Sequence, residues 1–228
     1  MFYALIGGRS IPNLNDFSLE EKIFKELNLT PKKILFIPLA CYPNYEDAIQ
    51  KFKALVPKSY TIEVVTEYDD FKRLNTQMIS ADVIYFSGGC AEELVKLSRR
   101  YGIDLILKNM ENQNKLIMGI SAGAILLSRY GMGDRYSYKD ANHIYNYQMV
   151  EGLGCLDVTI CPHYDHDGLD CFNSEVKEYK WNGYALEDDT AILFTPKVKA
   201  FKLSRQKSVY FYDASQEFLM QALYEEVK

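Results

Sequence analysis

The stretch Lys115-Leu116-Ile117-Met118-Gly119-Ile120-Ser121-Ala122-Gly123-Ala124-Ile125-Leu126-Leu127 decides how this chain is read. Leu116 to Ile120 is an apolar run of strand length, and Ala124 to Leu127 opens a second run that suits a helix. Between them Gly119, Ser121 and Gly123 form Gly-x-Ser-x-Gly. A strand that turns sharply into a helix at a serine leaves the hydroxyl exposed at the bend, and small neighbours let the backbone cross without clashes. The helix N-terminus behind Ser121 offers unpaired N–H groups to a developing oxyanion. Five residues of pattern also fit a plain tight turn, so the rest of the chain has to supply the argument.

The segments before this stretch alternate in the same way. Tyr3–Ile6, Lys33–Leu39, Thr61–Thr66 and Ala81–Phe86 read as strands. Helices are expected after Ser18 (with Glu21 at capping-box spacing), after Pro43-Asn44, from Asp69 or Asp70, at Ala91–Arg100 and at Asp104–Asn112. Near-continuous apolar strands separated by amphipathic helices predict an α/β fold with a mostly parallel central sheet and helices on both faces. Ligands in such sheets sit beyond the carboxyl ends of the strands. Gly7-Gly8, Gly88-Gly89 and Ser121 all fall at such ends and can share one crevice.

The second half is less regular. Tyr130–Gly154 reads as loops with a short hairpin, Val158–Cys161 as a strand and Leu169–Tyr179 as a helix. Glu187-Asp188-Asp189 reads as an acidic loop between two short strands. Lys199–Leu203 and Ser208–Tyr212 predict a small C-terminal β-hairpin, and Gln216–Glu226 a final helix. Without a repeat or a linker-like tract, residues 1–228 are taken as one domain.

Composition excludes several classes. A net charge of −5 gives no basic footprint for nucleic acid. The N-terminal apolar segment is too short for a signal sequence, and no run approaches the ~20 residues of a membrane span, so a cytoplasmic protein without a membrane partner is expected. Five cysteines without CxxC spacing argue against a disulfide framework or a cysteine metal site. Tyr136, Tyr138, Tyr145 and Tyr147 cluster in the irregular region, as packing at the core edge or as a substrate or subunit surface.

A serine nucleophile requires a base, and the base an orienting acid. Of the three histidines, His163 follows an apolar strand, whereas His143 and His166 sit in polar loops; His163 is the candidate base. Glu187 and Asp188 are candidate acids at another strand end, with Asp165 as an alternative. Gly88-Gly89 can place N–H groups beside an oxyanion but completes no nucleotide-binding loop. His163-Tyr164-Asp165-His166-Asp167 carries ligand-type residues, yet a metal site needs a further ligand from elsewhere in the fold, so no metal is expected.

Taken in order, strand–Gly88-Gly89, Gly119-Ile120-Ser121-Ala122-Gly123-Ala124, Cys161-Pro162-His163-Tyr164-Asp165 and Ala185-Leu186-Glu187-Asp188-Asp189-Thr190-Ala191 resemble the peptidase E/cyanophycinase family of serine peptidases. The resemblance covers residues 1 to about 195. It implies a class I glutamine-amidotransferase-like fold and cofactor-free hydrolysis of small peptides. In the dipeptidase branch it implies a preference for an N-terminal aspartate. By position it makes Ser121 the nucleophile, His163 the base, the Gly89 and Ala122 N–H groups the oxyanion hole, and Asp188 (preceded by Glu187) the acid. An acid between serine and histidine, Asp134 or Asp140, is the family's other option. The chain departs from the pattern at Cys90, where the family often has asparagine. Arg129 and Arg135 are the nearby candidates for pairing with an acidic substrate side chain. A monomer or homodimer is expected.

Overall fold

The computed structural model describes residues 1–134, 147–166, 171–213 and 220–222. The first half runs β1 (Phe2–Ile6), α1 (Ser18–Glu26), β2 (Lys33–Ile37), α2 (Tyr45–Leu55), β3 (Thr61–Val64), α3 (Phe71–Ser80), β4 (Val83–Phe86), α4 (Ala91–Arg100), α5 (Ile103–Asn109), β5 (Leu116–Ile120) and α6 (Ala122–Leu127). Five of these strands form the parallel order β1-β5-β4-β2-β3. Alternate residues of each strand point to opposite faces. Leu5, Leu35, Ile84 and Ile117 therefore pack in one apolar cluster with α3, α4, α5 and α6, whereas Ala4, Ile34, Val83 and Leu116 pack in another with α1 and α2. The expected parallel sheet with helices on both faces is present.

Local signals set several element starts. Asp70 caps α3 by accepting the Arg73 N–H at 2.9 Å. At α1 the expected cap, Ser18, is the first helical residue and Phe17 holds the N-cap position without a side-chain cap bond; the Ser18 N–H instead donates to the Asp16 carboxylate at 2.8 Å.

The second half differs from expectation. It contains β6 (Ser128–Asp134), β7 (Tyr147–Glu151), β8 (Leu156–Cys161), α7 (Cys171–Tyr179), β9 (Gly183–Leu186), β10 (Thr190–Phe194), β11 (Val198–Lys202), β12 (Val209–Tyr212) and β13 (Met220–Ala222). A second sheet forms in the order β13-β12-β9-β8-β6-β7, while β10 and β11 extend the first sheet beyond β1. The expected C-terminal hairpin is not formed: β11 pairs with β10 and β12 with β9, each antiparallel, so consecutive strands enter different sheets. The segment expected as a final helix contains β13, which pairs with β12; the remaining residues of that segment lie outside the described ones. The region expected as loops with a short hairpin holds the antiparallel pair β6–β7, which joins the second sheet through β8. Glycines disguise β6 as loop: a Cβ at Gly131 would lie 2.7 Å from Ile125 and 2.9 Å from Ile160, so helix α6 packs where a side chain would be.

One buried ion pair ties the two ends of the β1–α1 connection together. Arg9 Nη2 pairs with Glu20 Oε1, and the side chains are 6% and 0% exposed. Tyr85 Oη donates to the same oxygen at 2.8 Å, and Arg9 Nη1 donates to the Asp16 carbonyl at 2.5 Å. Burial pushes the Glu20 carboxyl up, against the opposing influence of Arg9 and Tyr85. Removing one partner strands a buried charge. Arg9→Ala should therefore cost about 3–5 kcal/mol in denaturant unfolding. A double change of Arg9 and Glu20 to methionine should recover most of that, and equal losses in the single and double variants would show that the pair is not what matters.

Candidate active site

Strand register brings the candidate residues to one edge. Ile6 lies opposite Ile120, Phe86 opposite Gly119 and Ile37 opposite Phe86, so β1, β2, β4 and β5 end together. In the second sheet Cys161 lies opposite Ala185, which ends β8 and β9 side by side. The chain then crosses from β9 in the second sheet to β10 in the first through Glu187–Asp189. That crossing is pinned to the first sheet, with Asp189 N donating to Gly8 O and Gly7 N to Thr190 O, both at 3.0 Å.

Ser121 has φ 53° and ψ −113°, a region L-residues rarely occupy. Its N–H donates to Ile6 O at 3.0 Å, and its carbonyl accepts from Ala124 N at 2.9 Å and Ile125 N at 3.1 Å, which locks the bend. The flanking glycines are steric necessities. A Cβ at Gly119 would lie 2.2 Å from the Gly123 carbonyl oxygen, and one at Gly123 would lie 2.5 Å from that of Phe86. Gly88 passes so close that a Cβ there would sit 3.3 Å from the Ser121 Cβ. Gly89 has φ 138°, and its Cβ would strike the Ala40 carbonyl at 2.5 Å.

A continuous chain of hydrogen bonds starts at the serine. Ser121 Oγ lies 2.9 Å from His163 Nε2, and His163 Nδ1 lies 2.6 Å from Asp188 Oδ1. The other carboxylate oxygen, Asp188 Oδ2, lies 3.0 Å from His166 Nε2. Burial pushes the Asp188 carboxyl up, but its hydrogen bonds and charge interactions with both histidines outweigh this, and it sits below the ordinary aspartate range. His163 also has positive φ, 55°, and its turn is closed by Tyr164 N on Leu186 O at 2.9 Å and His166 N on His163 O at 2.8 Å.

The other candidates fall elsewhere. The Glu187 carboxylate faces the second sheet, accepting from Ser208 N at 2.9 Å and Tyr210 Oη at 3.2 Å, and makes no contact with His163. The crossing is a turn, with Asp189 at φ 64°, and it sends the Asp188 side chain inward to His163 while Glu187 stays on the side of the second sheet. Asp165 supports from behind: its Oδ1 accepts the Asp188 N–H at 2.9 Å and its Oδ2 pairs with Lys207. Asp189 accepts from Ser10 N at 3.1 Å and Asn13 Nδ2 at 2.9 Å, fixing the loop after β1. Asp134 ends β6; its side chain, together with Arg135, Tyr136, Tyr138, Asp140, His143 and Tyr145, lies outside the described residues. Arg129 pairs with Asp157 at 2.8 Å and lines a cavity that does not include Ser121. The Cys90 N–H donates to Ala40 O at 3.0 Å, directly before α4.

Two contributors have no role assigned from the sequence, although Gly8 is placed there in the shared crevice. Gly8 lies against the histidine–aspartate pair: a Cβ there would come within 2.0 Å of Asp188 Oδ1 and 2.4 Å of His163 Nδ1. Its only sequence signal was a glycine pair at a strand end. His166, read as a loop residue, is the second histidine on Asp188.

Ser121 stands between two clefts. One, of about 230 Å³, is bounded by Gly89, Ala122, Ile125, Met132, Tyr147 and His166. The other, of about 390 Å³, extends over Gly8, Arg9, Leu14, Lys51, Phe52 and Tyr85. Ser121 and His163 line both.

This architecture has counterparts among known proteins. The chain is 28% identical over 199 residues to the uncharacterized peptidase YgaJ of Bacillus subtilis, covering 84% of this chain and 81% of that one. Its fold matches a crystal structure of a peptidase from an acI-B1 Actinobacterium with a TM-score of 0.71 at 19% identity, over 99% and 94% of the two chains. It also matches a protein named as a peptidase E from Listeria monocytogenes EGD-e with a TM-score of 0.63 at 22% identity, over 89% and 98%. The sequence profile of peptidase family S51 matches residues 3–199. The match spans nearly the whole chain, and the protein therefore belongs to peptidase family S51, the serine peptidases its motifs resemble.

Proposed function

We propose that the protein hydrolyses small peptides through a Ser121–His163–Asp188 triad and an acyl-enzyme. The observation that carries this reading is the unbroken chain Ser121 Oγ–His163 Nε2–Asp188, at 2.9 Å and 2.6 Å. Ser121 attacks the scissile carbonyl while His163 Nε2 accepts its proton. Asp188 holds the proton on Nδ1, which leaves Nε2 free to accept, and offsets the imidazolium charge that develops. The N–H groups of Gly89 and Ala122 are assigned to the oxyanion, with about 3 kcal/mol expected from each well-placed donor. His163 then protonates the leaving amine, and water hydrolyses the ester under the same base.

The two small clefts suit a short peptide laid across Ser121, with one residue or so on each side. A preference for an N-terminal aspartate follows from the family resemblance; of the basic side chains lining the larger cleft, Arg9 is committed to Glu20 and Lys51 pairs with Asp47 at 2.7 Å. The alternative is a protein that binds a ligand at the elbow without turnover. A fluorophosphonate probe separates the two: stoichiometric labelling of Ser121, together with turnover of one member of an Asp-X, Glu-X and neutral dipeptide panel, is expected. No labelling and no turnover across the panel would favour the binding protein. Among the described residues no helix is long and apolar enough to cross a membrane.

Gly8 provides a test of the geometry that leaves the triad residues in place. Gly8→Ala places a methyl group on the His163–Asp188 hydrogen bond and should lower kcat/KM about 100-fold, the scale of a misplacement near 1 Å. Steady-state kinetics checks this; unchanged turnover would show that the pair can move aside without loss.

A further inference from the structure

The triad accounts for one nitrogen of one histidine on Asp188. It leaves His166 unexplained. His166 Nε2 lies 3.0 Å from Asp188 Oδ2, and the His163 and His166 rings are 4.9 Å apart and tilted by 35°. One donor atom each from His163, His166 and Asp188 lies within 4.8 Å of the other two. Two imidazoles and one carboxylate are a ligand set suited to zinc. The sequence supplies the two histidines three positions apart in one turn; the third ligand arrives from the β9–β10 crossing.

We propose that His163 Nδ1, His166 Nε2 and a carboxylate oxygen of Asp188 form a zinc-binding site that reversibly switches the peptidase off. Tetrahedral zinc at about 2.0–2.1 Å from each ligand separates neighbouring donors by about 3.3 Å. His163 Nδ1 lies 2.6 Å from Asp188 Oδ1 and His166 Nε2 lies 3.0 Å from Asp188 Oδ2, and with the three donors within 4.8 Å of one another the histidine side chains must shift to close on one ion. The carboxylate is 8% exposed and its backbone N–H is held from behind by Asp165, whereas the histidine side chains are 32% and 46% exposed and border the smaller cleft. An ion therefore has a carboxylate ligand on a braced backbone, two accessible imidazoles and an open fourth position for water.

The chemistry of inhibition is direct. Zinc takes the Nδ1 lone pair of the tautomer whose single ring proton sits on Nε2, so binding gives up the Nδ1–H···Asp188 hydrogen bond and that proton is exchanged through solvent from Nδ1 to Nε2. The ring's one proton then resides on Nε2, the atom that must accept from Ser121 Oγ. The serine loses its base while its own position is unchanged. Metal binding is independent of the catalytic reading; its inhibitory effect rests on it.

Cobalt(II) is the probe, since its visible absorption reports tetrahedral coordination. Titration of the metal-free protein should give a single-site absorption band, and zinc should displace the cobalt. His166→Gln, which keeps the fold's hydrogen-bonding capacity at this position, should weaken cobalt binding at least 10-fold. Zinc should also slow fluorophosphonate labelling of Ser121 in the unaltered protein, reversed by a chelator, and should do so at least 10-fold less effectively in His166→Gln. No tetrahedral cobalt band, or equal cobalt affinity in the two proteins, overturns the site. A cobalt band lost in His166→Gln together with zinc-insensitive labelling overturns the switch while keeping the site. A protein that binds cobalt as expected but neither labels nor turns over peptides refutes the peptidase mechanism and the inhibition with it, and leaves the metal site standing.

Discussion

Ser121→Ala should lower kcat by about a million-fold, the scale seen when a triad nucleophile is removed. The hydroxyl is held 2.9 Å from His163 Nε2 at a bend whose backbone is locked by hydrogen bonds to Ile6, Ala124 and Ile125. Alanine has the same backbone demands as serine at φ 53°, so the bend and its strain remain, and only the attacking atom is lost. Unfolding stability should change by no more than about 1 kcal/mol, the worth of one hydrogen bond. Turnover of the best dipeptide, fluorophosphonate labelling and a denaturant curve measured together test this. A variant that keeps its fold and retains activity within about 100-fold of the parent would place the nucleophile elsewhere.

Asp188→Asn should cost about 10⁴-fold in kcat, with the fold intact. Asparagine matches the carboxylate in shape but can present an N–H to Nδ1, which drives the ring proton to Nε2 and removes the acceptor for Ser121. It also loses the negative charge. Burial raises the carboxyl's proton affinity, yet His163 and His166 hold it below the ordinary aspartate range, so it is ionised at neutral pH. The informative control is Glu187→Gln. Glu187 contacts Ser208 and Tyr210 rather than His163, so this change should reduce kcat less than about 10-fold. Reversal of the two effects in matched kinetic assays would make Glu187 the acid and would require the crossing loop to rearrange.

Much of the scaffold was legible in the sequence because its signals are local. Strands such as Leu35–Ile37 and Leu116–Met118 are apolar at consecutive positions because both faces are covered, and amphipathic helices separate them. Asp70 marked its helix start with its own side chain. Gly119, Ser121 and Gly123 announced the bend since only small residues fit where backbone passes backbone. The second sheet was hidden for equally physical reasons. Gly131 and Gly133 suit close packing against Ile125 rather than strand propensity, so β6 looked like loop. Lys199–Leu203 and Ser208–Tyr212 have the pattern and spacing of a hairpin, but pairing partners in a two-sheet fold are chosen by long-range contacts with β10 and β9.

The site divides along the same line. Local sequence determined a serine at a strand–helix bend, a histidine after a strand and an acidic crossing nearby, each a property of a few consecutive residues. Only the tertiary structure decided that Asp188 rather than Glu187 turns inward, that Asp165 braces it, that Gly8 makes room for the pair and that His166 joins from the far side. These depend on where the chain crosses from one sheet to the other, and on how the turn at Asp188-Asp189 directs each side chain. The two neighbouring carboxylates are alike in composition and spacing, and only the turn separates their roles.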